Sequence, residues 1–221
     1  MSKKKSVVKN YMYNLIYQIL ILILPLITTP YLSRILGAEG VGIYSYTYAI
    51  VTYFVLFGSL GIALYGQREI AYVQDNPKAR KKTFLELIIV RFITLAVAVT
   101  VYYIFFIKGK QYQTYYSILL IELLAAGFDI SWFFQGIEEF KKTVLRNVLV
   151  RLISVSLVFI IVKTSQDLWK YILIYSLADF CGNLLLWAYL PKYLKGGKVR
   201  KITVNKASNS TTYVVYSTSN K

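Results

Sequence analysis

Polar positions along this chain come in short groups, and the apolar runs between them are too long for the one-sided helices of a soluble domain. Runs of about 20 mostly apolar residues, the length that crosses a hydrocarbon core, occur at about 11–35, 42–65, 84–107, 115–135, 144–162 and 169–190. Backbone inside lipid must satisfy its own hydrogen bonds, so each run predicts a helix. The expectation is an all-α integral membrane protein, with a six-transmembrane-helix bundle over residues 1–195. The first run exceeds a signal-peptide core and no small-residue cleavage site follows it, so it reads as a retained span. Residues 196–221 are rich in Ser, Thr and Asn and contain no acid, which predicts a polar, disordered tail.

Composition agrees with the pattern. Hydrophobic residues make up 57% of the 221 and charged residues 16%, too apolar a balance for a soluble domain of this size. A net charge of +16 invites a nucleic-acid reading, but the basic residues lie between apolar runs rather than on one polar face, which excludes nucleic acid as the partner. With six spans, 19 of the 26 Lys and Arg fall on the side of the termini, five on the other side, and two, Arg91 and Arg151, inside spans. The positive-inside rule then places both termini in the cytoplasm, with the bilayer as the first partner. Cys181 is the single cysteine and histidine is absent. Internal disulfides and imidazole chemistry are therefore ruled out. No Asp-Asp-x-x-Asp cluster is present for a metal-bound diphosphate and there is no large polar catalytic domain, so neither metal nor cofactor is expected and a membrane prenyl or glycosyl transferase is a weak reading.

Local chemistry adds detail. Pro25 and Pro30 remove amide donors from the first span and predict a bend there, with Thr28 and Thr29 placed to satisfy freed carbonyls. Ionisable residues at Glu86, Arg91, Glu122, Asp129, Arg151 and Asp179 stand within or beside the spans, where charges pair or line wet paths. Arg91, Asp129 and Arg151 fall at one depth, roughly 10 Å from the side of the termini at 1.5 Å per residue. Glu122 and Asp129 are about two turns apart on one stripe of the fourth span, which Gly136 continues. Two readings stay open for this layer. Asp129 pairs with Arg91 or Arg151 and joins helices, or the arginines face a cavity and grip phosphate through paired hydrogen bonds. Asp179, followed by Cys181, Gly182 and Asn183, is an isolated acid suited to pairing or ion coupling, and Arg34 stands at a span end where it snorkels or guards a cavity mouth. The 21 tyrosines fall largely near span ends, as interfacial belts do, and some are placed to stack on sugar rings.

Four stretches carry a family likeness: Tyr31-Leu-Ser-Arg-Ile-Leu-Gly37, Gly40-Val-Gly-Ile-Tyr-Ser-Tyr46, Gly66-Gln-Arg-Glu-Ile-Ala71 and Asp129-Ile-Ser-Trp-Phe-Phe-Gln-Gly-Ile-Glu-Glu-Phe140. In this order around six spans the chain resembles the bacterial polysaccharide biosynthesis family, the flippases for lipid-linked oligosaccharides of O-antigen and capsule. The resemblance implies one lobe of a transporter of twelve or more helices in the bacterial cytoplasmic membrane, working by alternating access. It also implies a polyprenyl-diphosphate oligosaccharide as substrate, cavity arginines (Arg34, Arg91, Arg151) on the anionic carrier, and a second six-helix half or polysaccharide polymerase machinery as partners. After Gly197 the chain departs from the family pattern, which suggests a truncated gene or a fragment. A drug or ion antiporter of the same superfamily and a non-transporting remnant are the alternatives.

Overall fold

The computed structural model describes residues 2–108, 111–194, 200–202 and 215–217, with side chains from Gln18 to Leu194 apart from the undescribed residues, and those of Met12 and Leu15. Seven α-helices follow in order: α1 (Ser2–Ser59), α2 (Ile62–Tyr72), α3 (Pro77–Tyr102), α4 (Gln113–Phe128), α5 (Ser131–Gly136), α6 (Phe140–Ile161) and α7 (Leu168–Leu194). A π-helical turn, Tyr103–Ile107, extends α3, and a 3-10 turn, Ser165–Asp167, leads into α7. Among the described residues five helical stretches are long and apolar enough to cross a membrane, and the protein is a multi-pass membrane protein whose bundle is all α-helical.

The first of those stretches is not one straight rod. Inside α1, Gly37 has φ 70° and ψ 176°, a conformation open to glycine because it lacks a Cβ. Ile21 and Tyr48 line one cavity of about 310 Å³, yet 27 residues of straight helix would separate them by about 40 Å. The two halves of α1 therefore fold back on each other at Gly37. Pro25 and Pro30 leave the helix continuous. The Thr28 hydroxyl donates to the Leu24 carbonyl at 3.0 Å, whereas the carbonyls that lose amide partners to the prolines are those four residues back, Ile21 and Leu26. The expected rescue by Thr28 is thus corrected: its bond goes to a different carbonyl.

Other boundaries follow from local chemistry. The run expected at 42–65 is interrupted at Leu60 and Gly61, both with positive φ, and the chain restarts as α2. Asn76 begins α3 by accepting from the Lys78 and Ala79 amides at 3.1 and 3.2 Å, with Pro77 in the first turn where its missing donor costs nothing. The run at 115–135 is broken after Phe128, because the Asp129 carboxylate accepts the Ser131 amide at 2.9 Å and offers the backbone a local alternative to the helical ladder. Before α7, Thr164 and Asp167 form a capping box.

With α2 continuing the second half of α1 and α5 continuing α4, successive membrane-crossing stretches run in alternate directions. At one end of the bundle the Tyr31 hydroxyl donates to the Val162 carbonyl at 2.7 Å and that of Tyr102 to the Tyr116 carbonyl at 2.9 Å. Phe84 stacks on Trp132 at the other end, and the Arg80 guanidinium donates to the Tyr193 carbonyl. Each end has its own apolar core. Leu36, Tyr102, Tyr116, Leu119 and Val162 belong to the first; Ile70, Phe84, Trp132, Phe133, Phe134 and Leu186 belong to the second. Close backbone approach builds the second core: a Cβ on Gly66 would lie 2.7 Å from the Trp132 ring, and one on Gly136 would lie 2.7 Å from the Gln67 carbonyl oxygen. Gly136 thus faces α2 and does not continue the Glu122 and Asp129 stripe, since the break at Asp129 turns α5 aside. Large apolar side chains cover the outside, Leu26 at 74% and Leu64 at 79% exposure among them. Such a surface suits lipid and would be a liability in water. Beyond α7, Arg200–Ile202 (β1) and Val215–Ser217 (β2) pair antiparallel with Lys201 opposite Tyr216. The rest of the expected tail lies outside the described residues.

Candidate functional site

The residues that line the interior of the bundle collect on three helices at helical spacing. On α4 the positions are Glu122, Ala125 and Ala126, with Asp129 just past its end; on α6, Arg146, Asn147, Val150 and Arg151; on α7, Ser176, Asp179 and Asn183. These stripes face one another across two adjoining cavities, of about 310 and 320 Å³, that share Glu122, Arg151 and Asp179. Ser131, Gln135, Arg146, Asn147 and Asn183 line one of them, which we call the arginine vestibule. The other is closed by the first half of α1 around Pro25 and by Tyr44, Tyr48, Tyr171 and Tyr175.

The charges form two pairs. Arg146 stands 3.6 Å from Asp129 and donates to the Ser131 hydroxyl at 2.9 Å, while that hydroxyl also donates to Asp129. Arg151 stands 3.8 Å from Asp179, with its guanidinium 5.7 Å from the centre of the Tyr175 ring. Gly182 admits the first pair, for a Cβ there would lie 3.2 Å from the Arg146 side chain and 2.6 Å from Val150. Asn183 and Trp187 fasten α7 to α4 by donating to the Ala125 and Phe128 carbonyls at 2.7 and 2.8 Å. Two acids, one at the break between α4 and α5 and one on α7, thus hold two guanidiniums toward one polar space.

The expected assignments sort as follows. Arg151, Glu122, Asp129 and Asp179 meet at the cavities. The expected partner of Asp129 is corrected: it is Arg146, because the break after Phe128 turns the carboxylate toward the second turn of α6. Arg91 is 3% exposed and donates to the Ala126 carbonyl between α3 and α4, so it lies outside the lining of both cavities. Its Nε and Nη1 have no hydrogen-bond partner among the described residues. Arg34 is exposed near the Gly37 bend and also lines neither cavity. Glu86 is exposed and pairs with Lys82 at 3.8 Å on the surface of α3. The count of basic residues by side places Arg146 with the loop and gives Asn147 no role; the spacing of Asn147 and Arg151, one helical turn apart, is the signal that marks this face of α6.

A family model described as "Polysaccharide biosynthesis protein" matches residues 7–219. The chain belongs to this family. Polysaccharide biosynthesis proteins similar to it include the "Putative O-antigen transporter" of Escherichia coli (strain K12), 26% identical over 207 residues that cover 92% of this chain and 49% of that protein. A protein of the same name from Shigella dysenteriae is 25% identical over 163 residues, 73% of this chain and 41% of its own length. The chain therefore spans about half the length of these curated relatives. No solved structure matches it significantly. Among the described residues no group of His, Cys, Asp and Glu is placed to hold a metal ion.

Proposed function

We propose that this chain is one lobe of a transporter that carries a polyprenyl-diphosphate-linked oligosaccharide across the bacterial cytoplasmic membrane. The observation that carries the reading is the paired-arginine cavity inside an otherwise apolar bundle: Arg146 and Arg151, aimed inward by Asp129 and Asp179. A diphosphate is a stronger acceptor than a carboxylate and takes a planar guanidinium in paired hydrogen bonds. It exchanges with the acids as the headgroup enters, and the acids recover the arginines as it leaves. Membership of the polysaccharide biosynthesis family and relatives named as O-antigen transporters support this substrate class. Two cavities of about 300 Å³ suit part of such a headgroup, and a second lobe would supply the facing wall.

The fold-back of α1 at Gly37 supports six crossings, since the 58-residue element would run about 87 Å if straight, nearly three hydrocarbon thicknesses. Six crossings, with basic residues in the loops near Asn76 and Glu139, support a reading in which both termini are cytoplasmic. Native mass spectrometry of the chain in lipid nanodiscs with a polyprenyl-diphosphate oligosaccharide tests the reading. Binding that falls about ten-fold or more in both Arg146→Gln and Arg151→Gln supports it; equal binding by the wild type and both variants refutes it.

A further inference from the structure

The second cavity differs in chemistry from the arginine vestibule, and that difference points to a second ligand class. Four tyrosines line it, drawn from the second half of α1 and the first turns of α7. Tyr44 stacks on Tyr48 with ring centres 5.3 Å apart and 27° between planes, and meets the edge of Tyr171 at 4.9 Å. Tyr171 in turn meets Tyr175 at 5.1 Å. Tyr48 is therefore supported from behind by one ring and is itself exposed. Beside this aromatic wall stand Glu122, Asp179 and Arg151, the groups shared with the vestibule, with the Arg151 guanidinium over the Tyr175 ring.

We infer that this chamber is a saccharide-binding subsite, with Tyr48 as the platform on which a pyranose ring stacks. The pyranose presents C–H bonds on one face, and their positive ends meet the negative face of an aromatic ring. Its equatorial hydroxyls radiate from the ring edge, where carboxyl oxygens accept and a guanidinium donates. A tyrosine clamped by its neighbours loses little side-chain freedom when a sugar arrives, which favours binding. A wall made for lipid tails alone would not place two carboxyl groups and a guanidinium beside the rings. The inference rests on the proposed transport of a lipid-linked oligosaccharide and gives it a division of labour: diphosphate at Arg146 and Arg151, sugar at Tyr48, with Arg151 at the junction.

Saturation-transfer NMR on the full chain in nanodiscs, with maltotriose as the probe, tests this without any lipid carrier or transport. Sorbitol, which carries hydroxyls but no pyranose face, is the control. The chamber predicts transfer to the ring C–H protons of maltotriose, little to sorbitol, roughly ten-fold weaker maltotriose binding in Tyr48→Leu, and near-native binding in Tyr48→Phe, which keeps the ring. Absent transfer to maltotriose, equal transfer to sorbitol, or binding undiminished in a folded Tyr48→Leu would overturn it. Loss of polyprenyl-diphosphate binding with maltotriose binding intact would count against the transport reading and leave the saccharide chamber standing. Lipid-carrier binding without saccharide binding would do the reverse.

Discussion

Removing the Asp129 carboxylate separates the pairing seen here from the one the sequence suggests. In Asp129→Ala three interactions go together, one of them the bond from the Ser131 hydroxyl, which faces the polar cavity and re-pairs with water at little cost. The Ser131 amide loses the acceptor that turns the chain from α4 into α5, a loss of about 1 kcal/mol by analogy with capping side chains. Arg146, whose side chain is 11% exposed, loses a carboxylate 3.6 Å away and keeps its bond to the Ser131 hydroxyl. Breaking a fully buried pair costs about 3–5 kcal/mol. The Asp129 side chain is 35% exposed, however, so water screens part of that term. A figure of about 1–2 kcal/mol is appropriate for it, and the total is about 2–3 kcal/mol. Asp129→Asn retains an acceptor for the Ser131 amide and loses mainly the charge, so it costs about 1–2 kcal/mol. Reversible unfolding in mixed detergent micelles measures both. A double-mutant cycle of Asp129→Ala with Arg146→Ala should give a coupling of about 1–2 kcal/mol, while the cycle with Arg151→Ala should be additive within about 0.5 kcal/mol. Additivity for Arg146 together with coupling to Arg151 would refute the assignment.

Further outcomes follow from the glycines and the buried arginine. Gly136→Ala and Gly37→Ala should each destabilise by about 1–3 kcal/mol, for different reasons. A Cβ at 136 meets Ile70 at 2.8 Å, whereas at 37 nothing lies within 4 Å and the cost is backbone strain. At 136 the Gln67 carbonyl oxygen at 2.7 Å adds to the clash; thermal denaturation in detergent measures both losses, and an unchanged midpoint in either variant would contradict the close approach or the backbone strain invoked for it. Arg91→Met replaces a buried guanidinium of similar length by an apolar chain and should leave stability within about 1 kcal/mol or raise it, with lipid-carrier binding unchanged. Tyr102→Phe removes a buried bond to the Tyr116 carbonyl and should cost about 1–2 kcal/mol in the same unfolding assay.

The membrane class and most helix positions were legible because a hydrocarbon solvent imposes length and apolarity directly on sequence. Breaks within the runs were harder to read. Gly61 and Asp129 act through a single backbone conformation and a single side-chain bond, and neither alters the hydropathy of its neighbourhood. The Asp129 partner was missed for the same reason: extrapolating one straight helix to Gln135 carries the acid toward Arg91 and Arg151, while the actual turn carries it to Arg146. Glu122 and Asp179 line the cavities, and an acid among apolar residues signals an interior position wherever its helix points. Arg91 shows the limit of that signal, because depth and charge alone do not distinguish a cavity wall from the contact between two helices. The tyrosine chamber depends on the fold-back at Gly37, which brings Tyr44 and Tyr48 beside α7; their spacing in sequence records only that they share a helix face.

Transport through this bundle requires a water-accessible polar space inside its apolar wall. In a Cys181→Ser background, single cysteines at Ser131, Asn147 and Tyr48 sample the cavities, and cysteines at Leu56 and Val97 sample the exposed apolar surface. Labelling of the chain in lipid vesicles with a charged, water-soluble maleimide reads access at each position. We predict that the three cavity positions react and the two surface positions, shielded by lipid, do not. Unreactive cavity positions, or equal reaction at Leu56 and Val97, would contradict the cavity and the transport reading built on it.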